Sequence, residues 1–486
     1  MSISNALSNA LSGLTAVSRA ADVVSNNVSN AMTEGYGRRE IEYSARMLGR
    51  NGAGVQVDAI NRVTDPVATA ARRVADGQVG LGETRSDFHN TFAQSMGQVD
   101  DPSSIAGRMT TLESALIEAA SRPESEPRLM AVFDAASDLT RVINNSAKTL
   151  EAERMNADKQ IGLAVDFLQS AFDKVVELNV TIQQNSTAGY DVNALIDQRQ
   201  RMIDRIAEYI PVKEVPRDNG MVALYSPGGA IFVDSKAAKI EFTPVPTITP
   251  DMTLANGALS GLTVNGQPVS TDPDQGAIAG GKLAGYFEVR DVLAPAAQVK
   301  LDAVARDLVE RFQNATTDPS LGTTDAGLFT DNGAFFDATN EESLARRLSV
   351  NTRVDPDNGG ELWRLRDGIM INTEGNQGDS SLLNSMARAL QDSKVTQSGG
   401  FVGIERNAVS LASDFYSIVQ VDLRDAEAEQ SFAMSRQETF KAVEQENGVD
   451  TDAEMQRLML IEQNYAANAK VIETINQLID QLVRIS

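Results

Sequence analysis

From Ile3 onward the chain places an apolar or small side chain at every third or fourth position: Ile3, Leu7, Ala10, Leu14, Val17, Ala21, Val24, Val28 and Ala31. A strict alternation of steps of four and three is a coiled-coil seam, because a 3.5-residue repeat keeps one stripe facing a partner helix over many turns. The C-terminus carries the same alternation in Leu458, Ile461, Tyr465, Asn468, Ile472, Ile475, Ile479 and Leu482, with Asn468 as its polar member. Each end therefore reads as one long seam helix, and at about 1.5 Å per residue thirty residues span on the order of 45 Å. Whatever lies between, the fold must bring a partner to each seam.

The remaining faces of the N-terminal helix carry Ser8, Asn9, Ser12, Ser18, Ser25, Asn26, Asn27 and Asn30. A solvated helix ordinarily shows Lys and Glu there. Ser and Asn are mediocre helix formers that compete for nearby backbone groups, yet small uncharged polar groups suit a surface that other protein covers. A plain amphipathic helix lying on its own domain accounts for the apolar pattern as well. Residues 1–33 hold only Arg19 and Asp22, and residues 455–486 balance Arg457, Lys470 and Arg484 against Glu462, Glu473 and Asp480. Both ends are neutral, so the net charge of −24 resides between residues 34 and 454. Such ends are expected to be weakly ordered in the free monomer and to fold on packing against copies of themselves or relatives.

Composition removes several chemistries. With no cysteine there is no disulfide, thiolate nucleophile or cysteine-held metal, and the single histidine, His89, supplies no two-histidine site. A pI near 4.5 argues against nucleic acid, which calls for a basic face. Ser and Asn interrupt the stretch before Arg19, unlike a secretory signal, and no run approaches the roughly 18 apolar residues of a membrane span. No cofactor, metal, nucleic acid or membrane insertion is expected.

Between the ends, residues 34–65 read as extended and turn-rich, stopping at Asp65-Pro66, and Pro66 to Asn185 as mostly helix. A second helical block is expected from Ile404 to Glu446, on a stripe of Ile404, Ala408, Leu411, Phe415 and Ile418. Residues 211–273 hold eight of the fifteen prolines, with strand-like Met221–Tyr225 and Ala230–Val233 and a hairpin turn at Asn265-Gly266. Residues 285–315 read as a long helix, and 316–375 as turns with short strands at Leu348–Val354 and Glu361–Arg366. The class expected is mainly α with a smaller β-rich insert: paired terminal helices forming a coiled coil, a helical-bundle middle layer and an outer β domain. The corresponding boundaries are 1–40 with 450–486 for the terminal pair, 41–210 with 285–449 for the middle, and 211–284 for the insert. Because aromatics are only 5% of residues, Ala, Leu, Ile and Val are expected to build the cores.

Candidate chemical motifs fail on particulars. Gly276 to Lys282 has the spacing of a phosphate-binding loop, but Leu283 stands where a magnesium-holding hydroxyl belongs. Gly52-Ala53-Gly54 lacks the third glycine of a dinucleotide fingerprint. Asp355-Pro356-Asp357-Asn358-Gly359 begins like a calcium loop but reaches Arg366 at its twelfth position, so a turn is expected. His89 is read as a surface histidine on a helix. Nothing in the sequence supports catalysis.

Ala10 to Arg39 resembles the N-terminal motif of the bacterial flagellar rod, hook and hook-associated axial proteins. The resemblance is carried by Leu11-Ser12-Gly13-Leu14, Ser25-Asn26-Asn27, Asn30, Thr33 and Gly35-Tyr36 with Arg38-Arg39. Val449 to Val483 is similar to the partner motif at the other end, through Glu454-Met455, Gln463, Tyr465, Ala467, Ala469, Lys470 and Ile472. Interior blocks resemble the hook-associated branch: Gly52 to Val57 leading to Ile60, Arg62 and Asp65-Pro66, then Leu195 to Asp204 followed by Gly220, and Gly281 to Gly285 with Glu288 to Asp291. The resemblance implies a structural axial protein at the hook-filament junction, exported by the flagellar type III apparatus and held by a dedicated chaperone at its C-terminal helix. It implies a ring of its own copies between the hook protein and a second junction protein, outside the cell. Another axial protein, either that second junction protein or the hook protein, is the alternative, and an adhesin active through the central insert a more distant one. Ile3, Leu7, Leu14, Val17, Val24, Asn26, Asn27, Val28, Asn30, Tyr36, Leu458, Ile461, Tyr465, Ile472, Ile475, Ile479 and Leu482 are the residues expected to form the assembly interface.

If the ends order only on assembly, limited proteolysis of the monomer in solution should remove them well before it cuts the interior. Termini as resistant as the middle would show that they are docked already.

Overall fold

The computed structural model describes residues 3–33, 35–48, 51–97 and 101–485. Helix α1 (Ile3–Ser29) is followed by strands β1 (Arg38–Leu48) and β2 (Asn51–Val63), which pair as an antiparallel hairpin. Helices α2 (Pro66–Ser95), α3 (Ile105–Ser121), α4 (Glu126–Thr187) and α5 (Asn193–Tyr209) follow. Strands β3 (Lys213–Pro216), β4 (Val222–Tyr225) and β5 (Ile231–Val233) form one antiparallel sheet, and β6 (Ile240–Glu241), β7 (Leu262–Val264) and β8 (Gln267–Val269) another. Helix α6 (Lys282–Glu288) continues through a π-helical turn, Val289–Leu293, into α7 (Ala294–Phe312). Next come β9 (Phe329–Asp331), α8 (Leu344–Arg347), β10 (Leu348–Val350), α9 (Arg364–Asp367), α10 (Ser381–Gln391), β11 (Lys394–Val395) and β12 (Glu405–Arg406). The long helices α11 (Ala408–Glu446) and α12 (Thr451–Ile485) end the chain. The fold is mainly helical with small sheets, and none of its described helices is long and apolar enough to cross a membrane.

Local chemistry accounts for the main boundaries. Asp65 caps α2, accepting from the amides of Val67 and Ala68 at 2.9 and 3.0 Å, with Pro66 as the first helical residue. Asp450 caps α12 in the same way through Asp452 and Ala453, and Asp452 and Glu454 add negative charge where the helix dipole favours it. Asn265 and Gly266 both adopt positive φ, the turn expected between β7 and β8.

Three expectations are corrected. Only Leu348–Val350 of the Leu348–Val354 strand is extended; Asn351 then accepts from the Arg353 amide and winds Thr352–Val354 into a 3-10 turn. Glu361–Arg366 is no strand: Leu362 and Leu365 bury at a helical spacing of three, and Arg364–Asp367 forms the short helix α9. Helix α11 starts at Ala408, where Asn407 caps it by accepting from the Ser410 amide, so Ile404 lies outside it.

The chain divides into two compact units. The first comprises residues 1–77, 167–239 and 433–486, the second 78–166 and 240–432. The first holds 21 basic and 25 acidic residues, a net charge of −4, and the second 22 basic and 42 acidic, a net charge of −20. The stretch 211–284 contributes β3 to β5 to the first unit and β6 to β8 to the second.

Phenylalanine carries more of the cores than its abundance suggests. Phe172 stacks on Phe232 in the first unit, and Phe88, Phe92, Phe312, Phe329 and Phe415 are buried together in the second. Fully buried Arg290, also in the second unit, lies against the rings of Phe242 and Phe287 and pairs with Asp158 at 2.8 Å and with Asp291. Lys282, the lysine of the loop compared with a phosphate-binding motif, pairs with Glu83 at 2.7 Å. Asp355 accepts from the Asp357 amide and the Asn358 side chain, capping its own turn. His89 is half-buried rather than on the surface, lining a cavity of about 460 Å³ with Phe88, Phe92, Lys300, Phe415 and Asp422; burial holds its imidazole below the usual range.

Asp302 on α7 accepts from the amides of Ser343 and Ala345, both at 2.8 Å, and from Gln298. Burial outweighs those donors and pushes its carboxyl up to about 6. Between about pH 4 and 6 the folded chain thus keeps a proton that the unfolded chain has released, and the stability this group contributes falls as pH rises through that window. Lowering the pH from 7 to 5 should stabilise the wild type relative to Asp302→Asn by roughly 1 kcal/mol in denaturant unfolding. Parallel pH profiles for the two proteins would refute the assignment.

Candidate assembly interface

Helix α1 meets neighbours on two sides. Burial along one side is centred on Ala10 and Val24, members of the expected seam, and along the other on Ala16, Ala20, Val23 and Asn27, which are not. That second side includes Asn9 and Ser12, where the hairpin approaches: a Cβ at Gly54, whose φ is +98°, would lie 1.9 Å from the Ser12 Oγ. The Val55 amide donates to the same hydroxyl at 3.2 Å. The serines and asparagines of the N-terminal motif thus serve partly to admit a strand of their own chain. The signal was present in the sequence as a second periodic set, residues 9, 12, 16, 20, 23 and 27, hidden because all its members but Val23 are polar or alanine.

Helix α12 lies antiparallel to α1. The Asn468 side chain comes close to Gly13, while Glu454 in the first turn of α12 reaches Arg38, just beyond the C-terminal end of α1. A Cβ at Gly13 would lie 2.9 Å from the Asn468 Oδ1, so the glycine, which costs up to about 1 kcal/mol in helix propensity, leaves that side chain its room. Of the expected seam residues, Val24 and Ile475 are buried, and each contributes on the order of 2 kcal/mol by leaving water. Ile3, Leu7, Leu14, Val17, Val28, Leu458, Ile461 and Ile472 are half-buried. Tyr465, Ile479 and Leu482 remain exposed.

Where α1 ends, a buried polar lock holds the hairpin. Asn27 is wholly buried; its amide nitrogen donates to the Arg39 carbonyl, and its amide oxygen accepts from the Arg39 amide and the Tyr36 hydroxyl, each at 2.9 Å. The side chain therefore pairs with Arg39 as a strand backbone would. Burial raises the Tyr36 phenol above its ordinary value although the Arg39 guanidinium opposes it, which keeps the proton that Tyr36 donates. Buried Asp197 of α5 accepts from the Gly37 amide, from Arg62 at 2.7 Å and from Arg39 at 3.4 Å. Gly35, at φ +72°, lets the chain turn against Arg201, whose Cγ would sit 2.6 Å from a Cβ.

The structure thus separates the asparagines of the motif. Asn27 and Tyr36 belong to this internal lock, whereas Asn26 and Asn30 bond carbonyls of their own helix, those of Asp22 and Asn26. The neighbouring motif residues complete the first unit. Arg199 donates to Asn179 and the Gly220 carbonyl, and Asp204 takes both Arg72 and Arg73. Sequence reasoning assigned no role to Asp197, Arg62 or Arg39, because their partners lie 135 to 160 residues away along the chain.

Three family models match the chain: the helical domain of flagellar hook-associated protein FlgK over residues 91–329, the C-terminal region of flagellar basal body rod FlgEFG proteins over 442–485, and the flagella basal body rod protein over 7–36. Flagellar hook-associated protein 1 of Escherichia coli (strain K12) is 25% identical, across 99% of this chain and all of that protein. Its counterpart in Bacillus subtilis (strain 168) is 22% identical across 98% and 97%. That of Salmonella typhimurium is 23% identical across 99% and 100%. The flagellar hook junction protein FlgK from Burkholderia pseudomallei is similar in structure over 54% of this chain and 47% of its own, with a TM-score of 0.45 at 18% identity.

Asn27→Ala should destabilise the protein by about 3 kcal/mol, because it removes three hydrogen bonds made by a wholly buried side chain, whereas exposed Asn26→Ala should cost less than about 0.5 kcal/mol. Denaturant unfolding measures both, and hydrogen exchange at the Arg39 amide should quicken only in the first. Equal effects would contradict the lock.

Proposed function

We propose that this chain, which belongs to the flagellar hook-associated protein 1 family, forms the structural junction between hook and filament by assembling through its terminal helices. The observation that carries the reading is the antiparallel pairing of α1 and α12. The two helices are far apart in the sequence yet packed together, and each matches a rod-type axial family. A structural role needs no catalytic centre, and the motifs that could have held a nucleotide or calcium are occupied by internal contacts: Lys282 with Glu83, Asp355 with its own turn. We take the chain as a structural subunit rather than an enzyme.

The finer assignments follow from the same premise. The chain leaves the cell through the flagellar type III apparatus, with a chaperone on the C-terminal helix, whose apolar residues Met459, Leu460 and Leu482 stay exposed in the single copy. Outside the cell a ring of copies sits on the hook protein and carries the second junction protein. The seam residues of α1 and α12 form the assembly core, and the 1–40 and 450–486 segments act as the terminal assembly domain. The strongly acidic second unit is taken to face water, where self-repulsion favours solubility.

Deleting residues 455–486 should leave cells with hooks but without attached filaments in electron micrographs. Normal filaments on such cells would defeat the reading.

A further inference from the structure

The cavity beside His89 lies within the second unit, lined from α2, α7 and α11, and the junction role gives it no task. Its floor is apolar: Phe88, Phe92, Phe415 and Val419 are buried, and the rings of Phe92 and Phe415 stand 6.1 Å apart. Leu293 joins them from the end of the π-helical turn, a distortion that gathers at functional positions. Ala296, Ala297 and Ala426 also line the space, where larger side chains would fill it. Protein interiors ordinarily leave no such volume, because unfilled apolar space costs stability. At about 460 Å³ it falls in the range of sites for small organic ligands, roughly 300–1,000 Å³.

The mouth is charged. Asp274, Asp425 and Glu429 are exposed there and Asp422 is half-buried, so four carboxylates face the two lining cations, Arg85 and Lys300. Both cations are already engaged. Arg85 donates to Glu288 through two nitrogens at 2.7 and 3.0 Å and reaches Glu429 at 3.0 Å, and Lys300 lies 3.7 Å from Asp422. His89 sits edge-on to Phe88 at 5.2 Å; burial chiefly, with Lys300 and Arg85 against the opposing Asp422, holds its imidazole below the usual range. At neutral pH the ring is therefore uncharged and carries one nitrogen that accepts a hydrogen bond.

We propose that this cavity binds a small organic cation, an ammonium group carried on an aromatic body. The body enters against Phe88, Phe92 and Phe415, and the ammonium stays at the mouth among Asp274, Asp422, Asp425 and Glu429. An anion of the same shape meets the excess of carboxylates and finds Arg85 and Lys300 already paired. Each exposed carboxylate attracts weakly in water, so the preference comes from several acting together and is screened by salt. The site uses no residue of α1 or α12 and is independent of assembly.

Titrating the full-length protein with phenethylammonium chloride in a calorimeter, at neutral pH and low salt, tests this, with sodium phenylacetate as the anionic counterpart. The ammonium should bind saturably at one site, with a dissociation constant below about 1 mM that rises with salt, and phenylacetate should not bind. Ala297→Phe, which fills the cavity, should abolish the saturable heat. The double variant Asp422→Asn, Asp425→Asn alters only the rim, so it tests the site even if the filled variant does not fold; it should weaken binding about fivefold or more. Circular dichroism checks that each variant is folded. The absence of saturable binding to the wild type would reduce the cavity to a packing gap. Equal binding of phenylacetate, or unchanged affinity in the rim variant, would show that charge does not select the ligand, and undiminished binding in a folded Ala297→Phe protein would place the ligand elsewhere. Each of these results overturns the proposal, and none bears on the junction role.

Discussion

A helix that must bury more than one face sets the terms for the first unit of this protein. Helix α1 has a partner helix along one side and a strand hairpin along the other, and neither contact is a generic hydrophobic one. The hairpin comes within hydrogen-bond range of Ser12, which requires glycine at position 54, and it is anchored where Asn27 pairs with the backbone of Arg39. A buried amide left unpaired costs about as much as a large apolar side chain gains by burial, so an asparagine with all three contacts made is both stabilising and intolerant of replacement. Asp197 extends the same constraint to α5 by gathering Gly37, Arg39 and Arg62. The seam of α1 with α12 is then positioned rather than merely permitted.

Charge is partitioned in a way that suits assembly. The first unit, which holds both terminal helices, is close to neutral at −4, while the second carries −20. Under the proposed assembly through the terminal helices, copies would meet through the nearly neutral unit and so avoid the repulsion that an evenly acidic chain would face. Within the second unit the buried ions are held by specific partners, as Arg290 is by Asp158 and Asp291 against the rings of Phe242 and Phe287. Removing one member of such a group would strand a charge, so these residues specify packing as much as they stabilise it.

Long periodic elements were legible without coordinates. The terminal helices, the run of helices from Pro66, the extended stretch before it and the Asn265-Gly266 hairpin follow from spacing and turn chemistry, which are local. The misreadings fell on short segments where tertiary contacts override propensity. Glu361–Arg366 has strand-like composition, yet Leu362 and Leu365 both need the core and only a helical turn delivers them. His89 reads as a surface residue on its own helix because the α7 and α11 residues that half-bury it are distant in sequence.

Sequence alone determined that this chain has two neutral seam helices at its ends, an acidic interior and no cysteine chemistry, because periodicity and charge are properties of residue order. Tertiary structure decided which way the helices run against each other, that Asn27 faces inward while Asn26 faces out, and which faces stay uncovered. A heptad repeat states that a stripe will be buried; only the placement of residues far along the chain, such as Asp197, Glu454 and Asn468, states by what.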